Sequence, residues 1–418
     1  MKKIIIEGKH ELSGEITIGG AKNSAVALIP AAILSDETTK IFGIPNISDK
    51  ESLIEILKYL NCDINEVGDA LTINSTNLKN MFIPEKLGKK LRASYYFMGA
   101  LLSRFKHVEM HFPGGCNIGA RPIDLHLKGF ELLGAKVTIK NDKYIIDAEK
   151  LVGNHIFLDF ASVGATINIM LASVKAEGTT IISNAAREPE IVNVATFLNN
   201  MGAHITGAGT SEIKIEGVSH LDKAIIDVIP DRIEAGTYII AGALIGRNLV
   251  INNIIEEHLD SLLVKLKDMG VKFKVYDNKI EISKCENLKN INVKTLVAPG
   301  FPTDLGQPMA TLLTQAHGVS LFEETIYENR MGHVKHLINM GANITVQKST
   351  AVIIGPTKLI GCEVIATDLR GGASLVLAGL IADGKTTILE ADHILRGYEN
   401  IVEKLSNVGA KIELLDIE

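Results

Sequence analysis

Cysteine is scarce in these 418 residues. The four present, Cys62, Cys116, Cys285 and Cys362, lie far apart with no Cys-x-x-Cys pair. That spacing signals neither a zinc site nor a disulfide framework, so no metal and no cofactor is expected. Cys62, Cys285 and Cys362 read as small buried hydrophobes, whereas Cys116 sits in a different setting taken up below. Long apolar runs are also missing. The longest, Ala25 to Leu34, contains Pro30 and is far too short to span a bilayer. The apolar opening Met1 to Ile6 is cut off by Glu7, Lys9, His10 and Glu11 before it can form a secretion signal, and a cytoplasmic protein is expected. There is no basic tract, and the formal net charge is -6. Nucleic acid and membrane surfaces are therefore poor general partners. Tryptophan is absent, which excludes nothing.

Arginine is the other scarcity, with nine residues against 34 lysines. Arg92, Arg121, Arg187, Arg232, Arg330, Arg370 and Arg396 occupy turn-like, glycine-bearing or helix-edge segments, where a rigid guanidinium fork grips carboxylate or phosphate. Arg104 and Arg247 look ordinary. Any single arginine reads equally well as a loop tie to a local carboxylate; the set is the signal.

What is present is an ordinary globular composition, 46% hydrophobic and 22% charged, in a chain longer than one core usually supports. A phrase recurs along it: Leu133-Gly134-Ala135, Met201-Gly202-Ala203, Met269-Gly270-Val271, Met340-Gly341-Ala342 and Val408-Gly409-Ala410, with Asn61-Cys62-Asp63 as a weaker sixth. The period is about 68 to 72 residues. Each phrase is read as an amphipathic helix ending at glycine, followed by a strand. Leu259, Leu262, Leu263, Leu266 and Met269 make one helical stripe, and Asn141-Asp142 and Asp277-Asn278 are hairpin turns. Six mixed units predict two pseudo-threefold domains of three units each. Turn residues at Gly19-Gly20 and Ile229-Pro230-Asp231 place the crossovers. Residues 22-229 are then an inserted lobe carrying Lys22 and the Cys116 loop, and 1-21 joins 230-418 in a lobe carrying Asp304, Arg330, Arg370 and Arg396.

The segment Pro113 to His126 puts Cys116 in a glycine-rich loop beside Arg121, where a cation lowers a thiol pKa. Gly19 to Ser24 hands a glycine turn to a helix that starts at Lys22, and Ser162 to Thr166 opens another helix. Helix starts of this kind bind phosphate, or in the Ser162 case are simply capped. Asp368-Leu369-Arg370-Gly371-Gly372 is a further polar turn with a base and a cation. Phe301 to Pro308 carries a lone carboxylate, Asp304. It can be a general base, but on spacing alone a cap for the following helix is favoured.

These segments, with Asn184 to Glu190, Pro230 to Glu234 and Glu328-Asn329-Arg330, closely resemble the UDP-N-acetylglucosamine enolpyruvyl transferase family over essentially the whole chain. The resemblance implies an inside-out α/β barrel fold with two lobes closing over the substrates. It implies addition of the sugar 3-hydroxyl to C2 of phosphoenolpyruvate, with Cys116 as acid toward C3 and as the site of a covalent adduct. Asp304 matches the residue that takes the hydroxyl proton. Lys22, Arg121 and Arg396 match the grip on phosphate, Arg330 and Arg370 face the carboxylate, and Asn23 lies near the reacting centre. For the nucleotide, Arg121, Pro122, Ile123, Asp124 and Leu125 resemble the uracil loop. Ser162, Val163 and Gly164 match the diphosphate contact, and Arg92 with Asp304 and Ile326 the sugar side. Phe160 stands where some members carry lysine. Cysteine rather than aspartate at 116 implies alkylation by fosfomycin. The rivals are 3-phosphoshikimate 1-carboxyvinyltransferase and a non-catalytic regulatory paralogue; the oligomeric state stays open, a monomer included.

Overall fold

Six helix ends share one geometry. The computed structural model describes residues 2–114 and 123–417. In it Gly134, Gly202, Gly270, Gly341 and Gly409 have φ between +86° and +106°, and Asn61 takes the same role at +69°. At each of the six, the left-handed residue donates its N–H to the carbonyl three positions back, and the next residue donates to the carbonyl five positions back, all at 2.9–3.0 Å. This is the Schellman closure, which satisfies carbonyls a helix end leaves orphaned. Asparagine tolerates the left-handed region better than other non-glycine residues, so the weak sixth phrase is a full member of the set. The helices so ended are Ser48–Tyr59, Asp124–Leu132, Pro189–Asn200, Asp260–Asp268, Val334–Asn339 and Ile401–Asn407. In the fourth, Leu259, Leu262, Leu263, Leu266 and Met269 are all buried, as the stripe requires.

The chain divides into two compact units, one of residues 2–19 with 230–417 and the other of 20–114 with 123–229. Each holds three sheets built on one plan. A short edge strand runs parallel to a second strand, the second pairs antiparallel with a third, and the third with a fourth across a hairpin. The sheet around His107–His111 has three strands, with its parallel edge reduced to a bridge between Ile83 and Met110. One sheet is completed by the start of the chain: Lys2–Glu7 lies between Lys385–Leu389 and Lys411–Asp416, antiparallel to both.

Before the inner strand of each parallel pair runs a helix of a different character. Lys22–Ala31, Tyr96–Phe105 and Val163–Ser173 in one unit, and Arg232–Ile245, Gly306–Leu313 and Leu369–Ile381 in the other, are buried at nearly every position. They are apolar all round, as a helix surrounded by protein must be. Within each unit the three pack on one another. Their aliphatic residues form one core per unit.

Two readings of the sequence change. Cys285 and Cys362 are half-buried, while Cys62 alone of the three is buried, with its thiol pushed up to about 12 by burial. Arg104 looked ordinary but is a structural tie, donating to the Ile33 and Ser35 carbonyls at 2.5 and 2.6 Å and pairing with Asp36 at 2.7 Å.

The helix closures make a test. A Cβ on Gly202 would meet nothing closer than Asp222 Oδ2 at 3.9 Å, so Gly202→Ala isolates the backbone cost. It should lower unfolding stability by roughly 1–2 kcal/mol, read as a lower urea midpoint at unchanged slope.

Candidate active site

The six core helices share more than burial. Lys22 begins the first, Arg92 stands in the turn Arg92–Tyr95 that leads into the second, and Ser162 caps the third. Arg232 begins the fourth, Asp304 is in the turn Thr303–Leu305 before the fifth, and Arg370 is the second residue of the sixth. Polar residues thus recur at core-helix starts every roughly 70 residues, in step with the closing glycines. A helix N-terminus is positive and offers free N–H groups to anions. The numbering carried this register, but it shows only once the core helices are known.

In the unit of residues 2–19 and 230–417, Asp231 Oδ1 caps its helix through the N–H groups of Ile233 and Glu234 at 2.8 and 3.0 Å. Asp368 Oδ1 does the same for Arg370 and Gly371, both at 3.0 Å. The carboxylate of the Asp368 turn is therefore a cap rather than a base. Asp304 shows the reverse correction: the following helix has no side-chain cap bond. Its oxygens accept instead from Arg330 Nη2 at 2.6 Å and Arg370 Nη2 at 3.1 Å. Burial raises the proton affinity of Asp304, but Arg330, Arg370 and Arg232 together outweigh it and hold the carboxyl far below the usual range.

The two arginines differ. Arg330 also donates from Nη1 to Thr303 Oγ1 at 2.7 Å. With the Gln307 amide oriented to satisfy its neighbours, Gln307 accepts from Arg330 Nε at 2.8 Å and donates to the Thr303 carbonyl at 3.2 Å. Every nitrogen of Arg330 is then occupied. Arg370 is 2% exposed, and its Nε and Nη1 have no hydrogen-bond partner among the described residues. Buried guanidinium donors left bare are costly, so Arg370 is the member of the pair equipped to receive an anion.

Sequence reasoning missed the support beneath this pair. Glu324 is 3% exposed and accepts from the hydroxyls of Thr295 at 3.0 Å and Thr303 at 2.7 Å. It also accepts from the N–H of Ile326 at 2.7 Å. One carboxylate therefore fixes both Thr303, which holds Arg330, and the loop bearing Ile326. Nothing local in the sequence marks Glu324. Arg396 lies in the same unit, directly after the short helix Asp392–Leu395.

In the other unit Lys22 pairs with Asp49 at 2.8 Å, both largely buried, and Asn23 follows it on the helix. The Arg92 guanidinium lies 5.9 Å from the Tyr95 ring centre. Ser162 Oγ accepts from Ala165 N at 3.3 Å and so caps this helix. Val163 and Gly164 form the first turn of this helix. A Cβ on Gly164 would fall 2.7 Å from Tyr95 Oη and 3.0 Å from His126 Cε1, so any larger residue requires Tyr95 or His126 to shift. Ile123, Asp124 and Leu125 lead into the helix Asp124–Leu132. Two residues on, His126 is buried. Asn168 Oδ1 accepts from Gly99 N at 2.8 Å, so its amide nitrogen donates to the Tyr95 carbonyl at 2.9 Å and to His126 Nδ1 at 3.0 Å. The ring proton must then sit on Nε2, on the side facing Gly164. Cys116, Arg121 and Pro122 lie outside the described residues.

Comparison with known proteins places this geometry. The family model described as EPSP synthase (3-phosphoshikimate 1-carboxyvinyltransferase) matches residues 6–405. UDP-N-acetylglucosamine 1-carboxyvinyltransferase 2 of Oceanobacillus iheyensis is 51% identical, over 100% of this chain and 98% of that one. The protein of the same name from Streptococcus pyogenes serotype M1 is 51% identical over 100% of both. The chain belongs to the UDP-N-acetylglucosamine 1-carboxyvinyltransferase family. Among solved structures, the enolpyruvyl transferase NikO from Streptomyces tendae matches with a TM-score of 0.91 at 26% identity, covering 100% of this chain and 99% of that one. EPSP synthase from Acinetobacter baumannii matches at 0.76 and 19% identity, covering 99% of this chain and 100% of that one, which bears on the fold alone. The fold is that of the enolpyruvyl transferases, an inside-out α/β barrel in which helices form the interior of each unit. No helix among the described residues is long and apolar enough to cross a membrane.

His126 gives this site a pH signature. Burial, with Arg92 adding to it, pushes its pKa down to about 3, against an ordinary 6.5 in the unfolded chain. As pH falls below 6.5 the unfolded chain takes up a proton the folded one refuses, so stability drops until about pH 3 and is unaffected above 6.5. His126→Gln should reduce that slope by up to ~1.4 kcal/mol per pH unit, measured by urea unfolding between pH 7 and pH 4.

Proposed function

We propose that this protein transfers the enolpyruvyl group of phosphoenolpyruvate to the 3-hydroxyl of UDP-N-acetylglucosamine, releasing phosphate, as the first committed step of peptidoglycan synthesis in the cytoplasm. The observation that carries the reading is the full-length likeness, at about half identity, to relatives named for this activity. The bare nitrogens of Arg370 beside Asp304 support it, because phosphoenolpyruvate brings a carboxylate to the reacting centre.

The chemistry follows from the residues that the family likeness marks. The substrate carboxylate binds Arg370 and shares Arg330, taking over part of the positive charge that Asp304 holds in the free protein. With that charge shared, the proton affinity of Asp304 rises toward that of a useful base. Asp304 then accepts the proton of the sugar 3-hydroxyl as its oxygen bonds to C2, while Cys116 gives its thiol proton to C3. The product of this addition is a tetrahedral ketal still carrying phosphate. In the elimination C3 returns a proton to the Cys116 thiolate, the C2–C3 double bond re-forms and the C2–O bond to phosphate breaks. The proton on Asp304 leaves with the phosphate or passes to solvent. Lys22, Arg121 and Arg396 hold the departing phosphate, and Asn23 bonds near C2. Arg92, Arg121 to Leu125, Ser162 to Gly164 and Ile326 hold the sugar nucleotide. Preorganised cations stabilise charge as it shifts from carboxylate and enol oxygen to phosphate, and no metal is invoked.

The alternative is transfer to shikimate 3-phosphate, which the description of the family model favours and the names of the relatives disfavour. Phosphate release from phosphoenolpyruvate decides between them. Release is expected with UDP-N-acetylglucosamine and not with shikimate 3-phosphate or with neither. Fosfomycin should abolish it, with one mass addition on the peptide containing Cys116. Release with shikimate 3-phosphate would move the assignment to the rival, and silence with both acceptors would leave a non-catalytic paralogue.

A further inference from the structure

Among the described residues the Arg370 guanidinium donates to Asp304 and interacts with the Tyr398 hydroxyl, and it is almost completely buried. A long flexible side chain so weakly tied has other orientations open to it. What restricts it is Tyr398. The guanidinium carbon lies 5.1 Å from the centre of the Tyr398 ring, within the range of a cation–π contact. Tyr398 is 1% exposed. Its hydroxyl is 2.8 Å from Thr237 Oγ1, and the Thr237 hydroxyl donates its own proton to the Ile233 carbonyl at 2.8 Å. Thr237 is thus the acceptor, and the phenol proton of Tyr398 is committed to it. The Tyr398 N–H is bound to the Ile394 carbonyl at 3.1 Å. Ring and backbone of Tyr398 are therefore both anchored, on the helices Arg232–Ile245 and Asp392–Leu395.

Arg330 also lies 5.1 Å from an aromatic ring, that of Tyr327, but its nitrogens are held by Thr303, Asp304 and Gln307 as well. Arg370 has no such set. We propose that Tyr398, locked by Thr237, is the positioning residue that keeps Arg370 turned so that Nη2 engages Asp304 while Nε and Nη1 stay open for the substrate carboxylate. The ring holds the cation at 5.1 Å and the Tyr398 hydroxyl, its proton given to Thr237, interacts with the guanidinium, while Nε and Nη1 stay bare. The inference rests on the reading that Arg370 receives that carboxylate.

The test uses Tyr398→Leu and Tyr398→Phe in the full chain, with two readouts. In Tyr398→Leu the KM for phosphoenolpyruvate should rise on the order of tenfold, while the KM for UDP-N-acetylglucosamine moves by less than roughly twofold. Tyr398→Phe, which keeps the ring and loses the hydroxyl with its bond to Thr237 and its interaction with Arg370, should recover most of that loss. Independently of turnover, the Arg370 Nε–H followed by nitrogen-15 NMR, assigned by its loss in Arg370→Lys, should exchange on the order of tenfold faster in Tyr398→Leu and near the wild-type rate in Tyr398→Phe. Unchanged Nε exchange in a folded Tyr398→Leu overturns the proposal, as does an equal rise of both KM values. If the wild-type protein released no phosphate, the proposed function would fall and the Nε exchange would still decide the role of Tyr398. Should Tyr398→Leu fail to fold, Thr237→Val, which removes the acceptor at nearly constant shape, is judged by the same two readouts, with a smaller shift expected and no shift contradicting it.

Discussion

One carboxylate shared between two guanidiniums sets the terms for the rest of this molecule. Asp304 pairs directly with both Arg330 and Arg370, Arg232 adds positive charge, and Glu324 and Asp231 add negative charge toward the pair. Buried cations must be paired and their donors satisfied, and the protein meets those donors unevenly. Arg330 is surrounded by acceptors from Thr303, Gln307 and Asp304. Arg370 is left with donors that nothing in the described protein meets. An anion with a planar carboxylate removes that imbalance, and in doing so loosens the hold on Asp304. In the proposed reaction, binding and base activation are then two results of one exchange of partners.

The fold makes such a cluster natural. Six apolar helices are buried, and each starts in a turn and precedes the inner strand of a parallel pair, although the strand before Lys22–Ala31 and the strand before Arg232–Ile245 each belong to the other unit's sheet. Those starts carry Lys22, Arg92, Ser162, Arg232, Asp304 and Arg370. Helix dipoles and free N–H groups supply a positive background, and single substitutions at equivalent points of the repeat turn it into distinct contacts. Asp231, Ser162 and Asp368 spend their side chains on capping. Asp304 does not, and remains available to the arginines. Helix starts of the repeat thus carry caps in some cases and a partner for two arginines in another.

The repeat was legible because a left-handed helix ending demands glycine, and five glycines kept the spacing. The sixth was faint because asparagine serves as well there. The aliphatic stripe from Leu259 to Met269 was legible because its contacts are local. The family motifs marked Lys22, Asp304, Arg330 and Arg370, but their partnerships were not readable. Spacing favoured Asp304 as a cap and offered Asp368 as a base, whereas in the structure Asp368 is a cap and Asp304 pairs with two arginines. Which carboxylate turns back on its own helix depends on side-chain direction, and which faces an arginine depends on residues 26 and 66 positions away. Glu324, Gln307 and Tyr398 escaped notice for the same reason: each acts through a partner distant in the chain.

The exchange of partners at Arg370 is most directly tested by the affinity of the free protein for phosphoenolpyruvate before and after Asp304→Asn, with inorganic phosphate as the comparison ligand. If Asp304 holds the place of the substrate carboxylate, removing its charge should tighten phosphoenolpyruvate binding by on the order of tenfold or more and change phosphate binding little. Unchanged or weaker phosphoenolpyruvate binding, or an equal gain for phosphate, would contradict the account.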